Sequence, residues 1–484
     1  MQIKYTAQAG AMLCIHRCPQ PLREELLRMH THPNPAYETA LRFSPWGAPA
    51  RIPQFLEFAF EDGGDLYVPR GTAAHRLSPD SKAQWDQLRW RNLRVSVPAS
   101  FPETQTQPNK EQRLLLRSFE ESLDDRSRPF GNFLFVAPTS AGKTFLQAMT
   151  AARSGQRTLV LCLTNLIRKA WLDDLYKLYG LGAKDIGLIQ QGTWRIGECF
   201  TLASVSTIGR RKARWGELYQ QFGAVVLDEA DTCTSPTIFE FVRRCPAQFV
   251  IGATATDRME DKANIYLDAL FGAAVRRVVS KQTDTESSYA LRGVDMIPTA
   301  FTFDYDPANL DWHELSEALS ADEERNQLIA RHAYRQWKAG RSLLVVTKRV
   351  AHAHLLKDVL LEAGIEDANL LTGETNSDRR YTELLVKGVV SRRIRCVVAT
   401  AQAIKRGANL NSLDRLHLAM PLASQRDLEQ LIGRIRRRGT GKVDCRLTYY
   451  LDTQVRYLHR LYKNQAMSVF RKLKVPGFQN LFMA

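Results

Sequence analysis

Residues 131–153 read GNFLFVAPTSAGKTFLQAMTAAR, and this stretch decides the fold. An apolar run, Asn132–Ala137, reads as a buried strand, and FLQAMTAAR has the apolar period of a helix. Between them stands Ala137-Pro138-Thr139-Ser140-Ala141-Gly142-Lys143-Thr144. At such a strand-to-helix turn, successive backbone N–H groups and the helix start form a nest for phosphate oxygens. Pro138, Thr139, Ser140 and Ala141 would supply the nest, and Gly142 lets the backbone approach closely. Lys143 then adds a point charge, and the Thr144 hydroxyl is a ligand for Mg²⁺. The strict pattern opens with Gly where this chain has Ala137.

Downstream, residues 224–231 read AVVLDEAD. A carboxylate at the C-terminal edge of an α/β strand faces the ligand crevice. Asp228 is therefore expected to hold Mg²⁺ opposite Thr144, and Glu229 to accept a proton from an attacking water. Acidic residues also favour helix starts for purely structural reasons, but the pairing with a phosphate loop points to nucleoside triphosphate hydrolysis.

Working outward, short β-branched runs alternate with helical patterns at 158–163, 198–203, 224–227 and 249–253, then again at 342–347, 369–371, 395–399, 415–418 and 445–450. This rhythm implies parallel sheets covered on both faces. The expected fold class is α/β, with two tandem parallel-sheet domains at 109–283 and 284–455. A small accessory domain is expected at 1–108 and a basic helical tail at 456–484. Val97 to Pro108, rich in Pro, Thr and Gln, reads as a linker.

Composition narrows the partner. The 484 residues carry 67 Lys+Arg against 51 Asp+Glu, a formal charge of +16, which favours a polyanion. From Gln430 onward, 12 Lys/Arg face only 2 Asp/Glu, so the excess is weighted toward the end of the chain. The tail RYLHRLYKNQAMSVFRKLKV interleaves cations with Tyr, Leu and Phe, as an amphipathic helix with a basic outer face would. No stretch approaches ~18 uninterrupted apolar residues, and the first twenty lack a secretory apolar core, so no membrane association is expected. Eight scattered cysteines fit a reducing cytoplasm better than a disulfide framework. Cys14, Cys18, His30 and His32 invite a zinc reading, but their spacing is irregular for a closed site. Trp46, Trp85 and Trp90 are read as core before base-stacking.

The second block closes with Gln430-Leu-Ile-Gly-Arg434-Ile-Arg436-Arg437. Helical spacing would put Gln430, Arg434 and Arg437 on one face, suited as arginine fingers to charge developing on a γ-phosphate. Arg436 and Arg438 read as solvated helix charge.

Taken in order, the chain resembles the superfamily 2 helicases and translocases over about residues 109–455. APTSAGKT matches motif I, LVLCLTNLIRKAW (159–171) motif Ia, LASVSTI (202–208) motif Ic and LDEAD motif II. GATAT (252–256) matches motif III, LLVVTKR (343–349) motif IV, VVATAQAIKRGANL (397–410) motif V and QLIGRIRR motif VI. Despite the literal DEAD, motifs Ia, III and VI depart from the DEAD-box RNA helicases. The pattern is more similar to the DNA-acting group of phage UvsW-like helicases, RecG, XPB and restriction-enzyme motors, and residues 33–71 resemble the leader of the UvsW-like proteins.

The resemblance implies two RecA-like domains, ATP with Mg²⁺ as ligands, Gly407 at the nucleotide, and Thr254 and Thr256 as couplers to nucleic acid. It also implies backbone contacts from Thr164, Arg168, Ser206, Thr207, Lys348, Arg349, Thr372, Gly373, Thr400 and Arg406. Arg168 reads equally well as a solvated helix residue. Asn409 stands where the group has Asp. Gln112 is the sole candidate for an adenine-reading glutamine, and it reads more simply as a helix-face residue. The expected activity is ATP-dependent DNA unwinding, branch migration or annealing by a cytoplasmic monomer of bacterial or phage type. Its partners would be single-stranded, duplex or branched DNA and single-strand-binding or recombination proteins. An RNA helicase, a restriction or defence motor subunit, and a motor that only binds remain alternatives.

Overall fold

The computed structural model describes residues 2–3, 12–43, 52–90, 95–123, 131–137, 142–254, 264–272, 275–277, 291–306, 310–405, 410–422, 424–437, 439, 441–473 and 475. It divides into two compact units, with the break in the chain between Val279 and Ser280.

The first unit is built on an eight-stranded sheet. Its order is Thr193–Arg195, Ile186–Gln190, Phe200–Ser204, Thr158–Cys162, Ala224–Asp228, Phe249–Thr254, Gly131–Val136, Val275–Arg277. Thr193–Arg195 pairs antiparallel with Ile186–Gln190, and the other pairings are parallel. Thr158–Cys162 and Phe249–Thr254 are buried at every position, which explains their unbroken apolar character. One face packs Phe119, Trp171, Phe200 and Val226 into a core, and the other packs Trp215, Phe222, Phe241 and Leu227.

Three strands of this sheet escape a search for β-branched runs. Ile186–Gln190 carries Gly187, where a Cβ would sit 2.3 Å from the Gly197 amide nitrogen, so the close backbone approach needs glycine. Thr193–Arg195 and Val275–Arg277 are three-residue edge strands with too few positions to show a period.

Residues before the phosphate loop form a five-stranded sheet ordered Phe60–Asp62, Asp65–Val68, Leu13–His16, Gln2–Ile3, Arg89–Trp90, with a core of Leu13, Ile15, Leu22, Leu66 and Trp85. Trp85 thus takes the core role expected of it, while Trp46 lies outside the described residues. This sheet is tied into the first unit. The buried Arg70 guanidinium donates to Asn132 Oδ1 at 2.7 Å and to the carbonyls of Ala247 and Gln248 at 3.2 and 3.4 Å. The expected linker 97–108 is instead pinned along the unit. Val97 and Ala99 pair with Arg157 and Gly155, the Gln105 amide donates to Leu178, and Phe101 packs edge-on against Phe200. Its prolines suppress regular structure without preventing docking, because backbone groups that join no sheet still find carbonyl partners.

The second unit holds a six-stranded parallel sheet ordered Leu291–Pro298, Cys445–Leu451, Arg415–Leu418, Leu343–Thr347, Cys396–Thr400, Ala368–Leu371. Leu291–Pro298 is another edge strand missed from sequence, because Arg292, Gly293 and Asp295 interrupt its apolar run. The basic tail winds as consecutive helical turns, Arg456–Leu461, Tyr462–Ala466 and Met467–Lys472, the middle one a widened π turn. Leu458, Tyr462, Ala466, Val469 and Phe470 are buried, while Arg456, Arg460, Lys463 and Arg471 are exposed. Among the described residues no helix is long and apolar enough to cross a membrane.

Candidate active site

Strand Gly131–Val136 ends beside Phe249–Thr254 in register, and the Ala137 amide donates to the Thr254 carbonyl at 2.9 Å. Residues 138–141, and with them Pro138, Thr139, Ser140 and Ala141, lie outside the described residues. The chain resumes at Gly142 with φ of +76°, a left-handed conformation that a side chain would strain. Helix Lys143–Arg153 starts there, its first carbonyl bond running from the Leu146 amide to Gly142 at 3.0 Å.

A Cβ on Gly142 would lie 2.7 Å from Gln112 Nε2. Gln112 is therefore not simply a helix-face residue. It sits in the first turn of helix Lys110–Leu123 and exchanges bonds with Asn109, backbone N–H to side-chain oxygen in both directions at 2.9 and 3.0 Å. That reciprocal cap aims its amide at the phosphate loop. The signal was present in the sequence as Asn109-x-x-Gln112, a capping pattern.

Lys143 Nζ lies 3.8 Å from Glu229 Oε1, and both side chains are largely buried. Glu229 adopts φ of +58°, which swings its carboxylate off the line of strand Ala224–Asp228. Its Oε2 is buried without a hydrogen-bond partner among the described residues. An acceptor oxygen in that condition suits a water or a metal-bound water. Asp228 Oδ2 accepts the Trp171 indole N–H at 3.0 Å. Asp231, one turn on, accepts from the Thr254 hydroxyl at 3.2 Å, joining the acidic motif to Gly252-Ala-Thr. Burial beside Asp228 pushes the Cys162 thiol far up, so it is inert packing. Thr144 stands half-buried in the first helical turn. The set fits a magnesium nucleotide: a cation, a helix N-terminus, a hydroxyl and two carboxylates at strand ends.

The expected nucleic-acid residues divide. Ser206 is exposed and shares a 2.9 Å bond with Ser204, and Gly373 is exposed. Arg168 is only 8% exposed, which removes the solvated-helix reading. Thr207 is buried, and Thr254 is committed to Asp231. The hydroxyls of Thr164, Thr372 and Thr400 accept from the amides of Ile167, Thr375 and Ala403 at 3.3, 3.4 and 3.4 Å. They stand near strand ends because helices begin there and need caps. Lys348 lies over the Trp312 ring at 4.8 Å, and Arg349 donates to Ser316 and Glu317 at 3.3 and 3.1 Å, so both serve packing within the second unit. Thr256, Arg406 and Gly407 lie outside the described residues.

In the second unit, helix Gln425–Arg436 carries Gln430 and Arg434 one turn apart. Arg437 does not share that face, since the helix stops and Arg437 is extended, with ψ of 141°. Buried Lys442 explains the stop. Its ammonium donates to the carbonyls of Leu413, Arg437 and Asn411 at 2.7, 2.9 and 3.1 Å, taking an acceptor that another helical turn would have used.

Around Cys14 the described side chains have partners other than a shared centre. His16 and the Cys14 thiol both bond Asp65, at 2.5 and 3.6 Å, and His30 pairs with Thr72 at 2.9 Å. Among the described residues no three His, Cys, Asp or Glu side chains gather as a metal site.

Residues 105–259 match the family model of the type III restriction enzyme res subunit. Probable helicase D10 of Escherichia phage T5 is 25% identical over 304 residues, 63% of this chain and 64% of D10. Both matches are to helicase-type sequences, in keeping with the order of the motifs. DNA 3'-5' helicase XPB of Kineococcus radiotolerans is 26% identical over 278 residues, 55% of this chain and 47% of XPB. The chain thus spans less than two thirds of the length of either relative. Solved Dbp5 of S. cerevisiae, bound to RNA and ADP BeF3, aligns over 76% of this chain and 88% of its own with a TM-score of 0.54 at 14% identity. That likeness concerns the fold, two tandem RecA-like domains, as the motif order implied.

Proposed function

We propose that this chain is a superfamily 2 helicase or translocase that couples ATP hydrolysis to movement on, or remodelling of, DNA. The observation that carries the reading is the meeting of Lys143 with Glu229 beside an Asp228 that accepts the Trp171 indole N–H. Lys143 exchanges Glu229 for the β- and γ-phosphates, and Glu229 is then available to take the proton of an attacking water. Thr144 and Asp228 would hold Mg²⁺, which when bound would neutralise charge on the phosphates. On the resemblance alone, Gln430 and Arg434 are assigned to charge developing on the γ-phosphate. DNA as the track rests on the similarity to DNA 3'-5' helicase XPB and on the charge of +16.

An ATPase panel with single-stranded, duplex and branched DNA and with RNA tests the proposal. Stimulation by at least one DNA form is expected, and Lys143→Ala should lower stimulated turnover by roughly 10²-fold or more. Unchanged turnover in that variant removes the site assignment. Stimulation by RNA alone replaces DNA with RNA as the track.

A further inference from the structure

The six strands of the second sheet run parallel, so all of them start at one edge and finish at the other. Lys348, Arg349, Thr372, Gly373 and Thr400 stand at or just beyond strand ends. Helix Glu323–Lys338 leads into strand Leu343–Thr347, which puts its last turns at the opposite edge. Two contacts fix that placement. A Cβ on Gly364 would lie 3.3 Å from Tyr334 Cε2, and the Trp337 indole donates to Asp367 at 2.7 Å. Gly364 and Asp367 both precede strand Ala368–Leu371.

These turns present Arg331, Arg335 and Lys338, all exposed, four and three residues apart on one face. Like charges at those spacings repel, and a solvated helix face relieves the repulsion with carboxylates in register. Here none is supplied: among the described residues the three cations have no ion pair. The carboxylates of this edge are spent elsewhere. Asp367 also accepts the Arg395 amide at 2.7 Å, Asp444 pairs with Arg415 at 2.8 Å, and Asp295 pairs with Arg446 at 2.6 Å. Glu362 and Glu366, near Gly364, are exposed and pair with none of the three. Burial, and then the fields of Arg335 and Arg331, hold His332 below the ordinary imidazole value against a smaller pull from Asp295. The helix dipole favours cations in a last turn, which accounts for Arg335 and Lys338. That effect fades within the turn and does not account for Arg331.

The end of the row is also held in place. Lys338 Nζ sits 5.7 Å from the centre of the Tyr334 ring, which stacks on Trp337 at 6.3 Å, and Arg395 covers the Trp337 ring at 4.5 Å. A cation already seated on an aromatic ring loses less freedom on meeting a ligand.

We infer that Arg331, Arg335 and Lys338 form a second nucleic-acid contact, which grips the phosphate backbone at the strand-start edge of the second sheet. The inference rests on the proposed function for its nucleic acid. A row of cations advancing by about 6 and 4.5 Å along a helix suits the regular charges of one strand, and arginine forks suit phosphate oxygens. An acidic protein would call for an apolar or aromatic anchor at the centre of its interface, and residues 331–339 expose no large apolar side chain.

The test uses the full chain with Arg331, Arg335 and Lys338 all replaced by Gln. Binding of a labelled DNA duplex with a single-stranded overhang is titrated from 50 to 300 mM salt, or of RNA should wild type bind only that. The slope of log affinity against log salt should fall by roughly 2–3, since each phosphate neutralised contributes about 0.9. Arg331→Lys with Arg335→Lys, which keeps the charge, should hold the slope within one unit of wild type. Contact is read separately: p-benzoylphenylalanine in place of the exposed Ala339 should crosslink to the same nucleic acid on irradiation. An unchanged slope in the Gln variant, or a lowered slope without a crosslink, overturns the inference. So does a face that loses binding to polyglutamate while its nucleic-acid slope stays put, which would assign it to an acidic protein. Should the Gln variant not fold, the crosslink alone decides. A wild type that binds the duplex and crosslinks but hydrolyses no ATP fails the proposed function and leaves this contact standing.

Discussion

Lys442 is 6% exposed and holds three backbone carbonyls, two just beyond motif V and one at the end of motif VI. Burial pushes its ammonium down to about 8, against the opposing pull of Cys445 and Asp414. Its folded value thus lies below its unfolded one near 10.5. Between those values the unfolded chain binds more protons at this site, so its contribution to stability grows as pH climbs and is lost as pH falls through about 8. Chemical denaturation of wild type and Lys442→Met from pH 7 to 10 should show the gap moving in favour of wild type, by on the order of 1–3 kcal/mol. A pH-independent gap would mean the ammonium does not titrate in this window. Residues of this kind were invisible in sequence, whereas the approach of Lys143 to Glu229 follows from a phosphate-loop pattern and an acidic strand end on one parallel sheet. Trp171 and Lys442 act through contacts between segments far apart in the chain, and only the fold brings them together. At Thr164, Thr372 and Thr400 the fold adds a use that sequence did not announce, since each hydroxyl caps the start of a helix.

At the level of elements, long buried strands announced themselves and short edge strands did not, since two or three residues cannot display a period. The segment 97–108 shows a second limit: composition records the absence of helix and strand, but not whether a chain is docked. Arg70 is the corresponding anchor on the N-terminal sheet. Replacing it with Ala removes the donor to Asn132 Oδ1, though Asn132 Nδ2 keeps the Arg70 carbonyl, and weakens the turn at Ala247–Gln248; such interior polar groups losing a partner cost roughly 2–3 kcal/mol. Arg70→Ala should accordingly lower the unfolding midpoint by several degrees in a thermal melt. Loss of Lys143 is expected to leave that midpoint nearly unchanged, because its partner Glu229 retains partial access to water. Equal melting of Arg70→Ala and wild type would show that the N-terminal sheet is not anchored there.

For the whole molecule, the charge of +16 is not a uniform coat. Of the cations after Gln430, Lys442 is spent on carbonyls and Arg446 pairs with Asp295 at 2.6 Å. Arg456, Arg460, Lys463 and Arg471 stay exposed on one helical run whose other side is buried. A helix needs only its apolar side to pack, so exposed cations on the outer side are accessible to a polyanion, and counterion release tells whether they meet one. Each phosphate neutralised adds about one unit to the slope of log affinity against log salt. Replacing all four with Gln should therefore lower that slope by roughly 3–4 for a DNA-facing helix, with binding at low salt weakened across all sequences alike. Titration of a labelled duplex from 50 to 300 mM salt measures it. A slope that does not move would assign these charges to solvent and return the electrostatic footprint to the two sheets, where Arg168 and Ser206 already stand near strand ends.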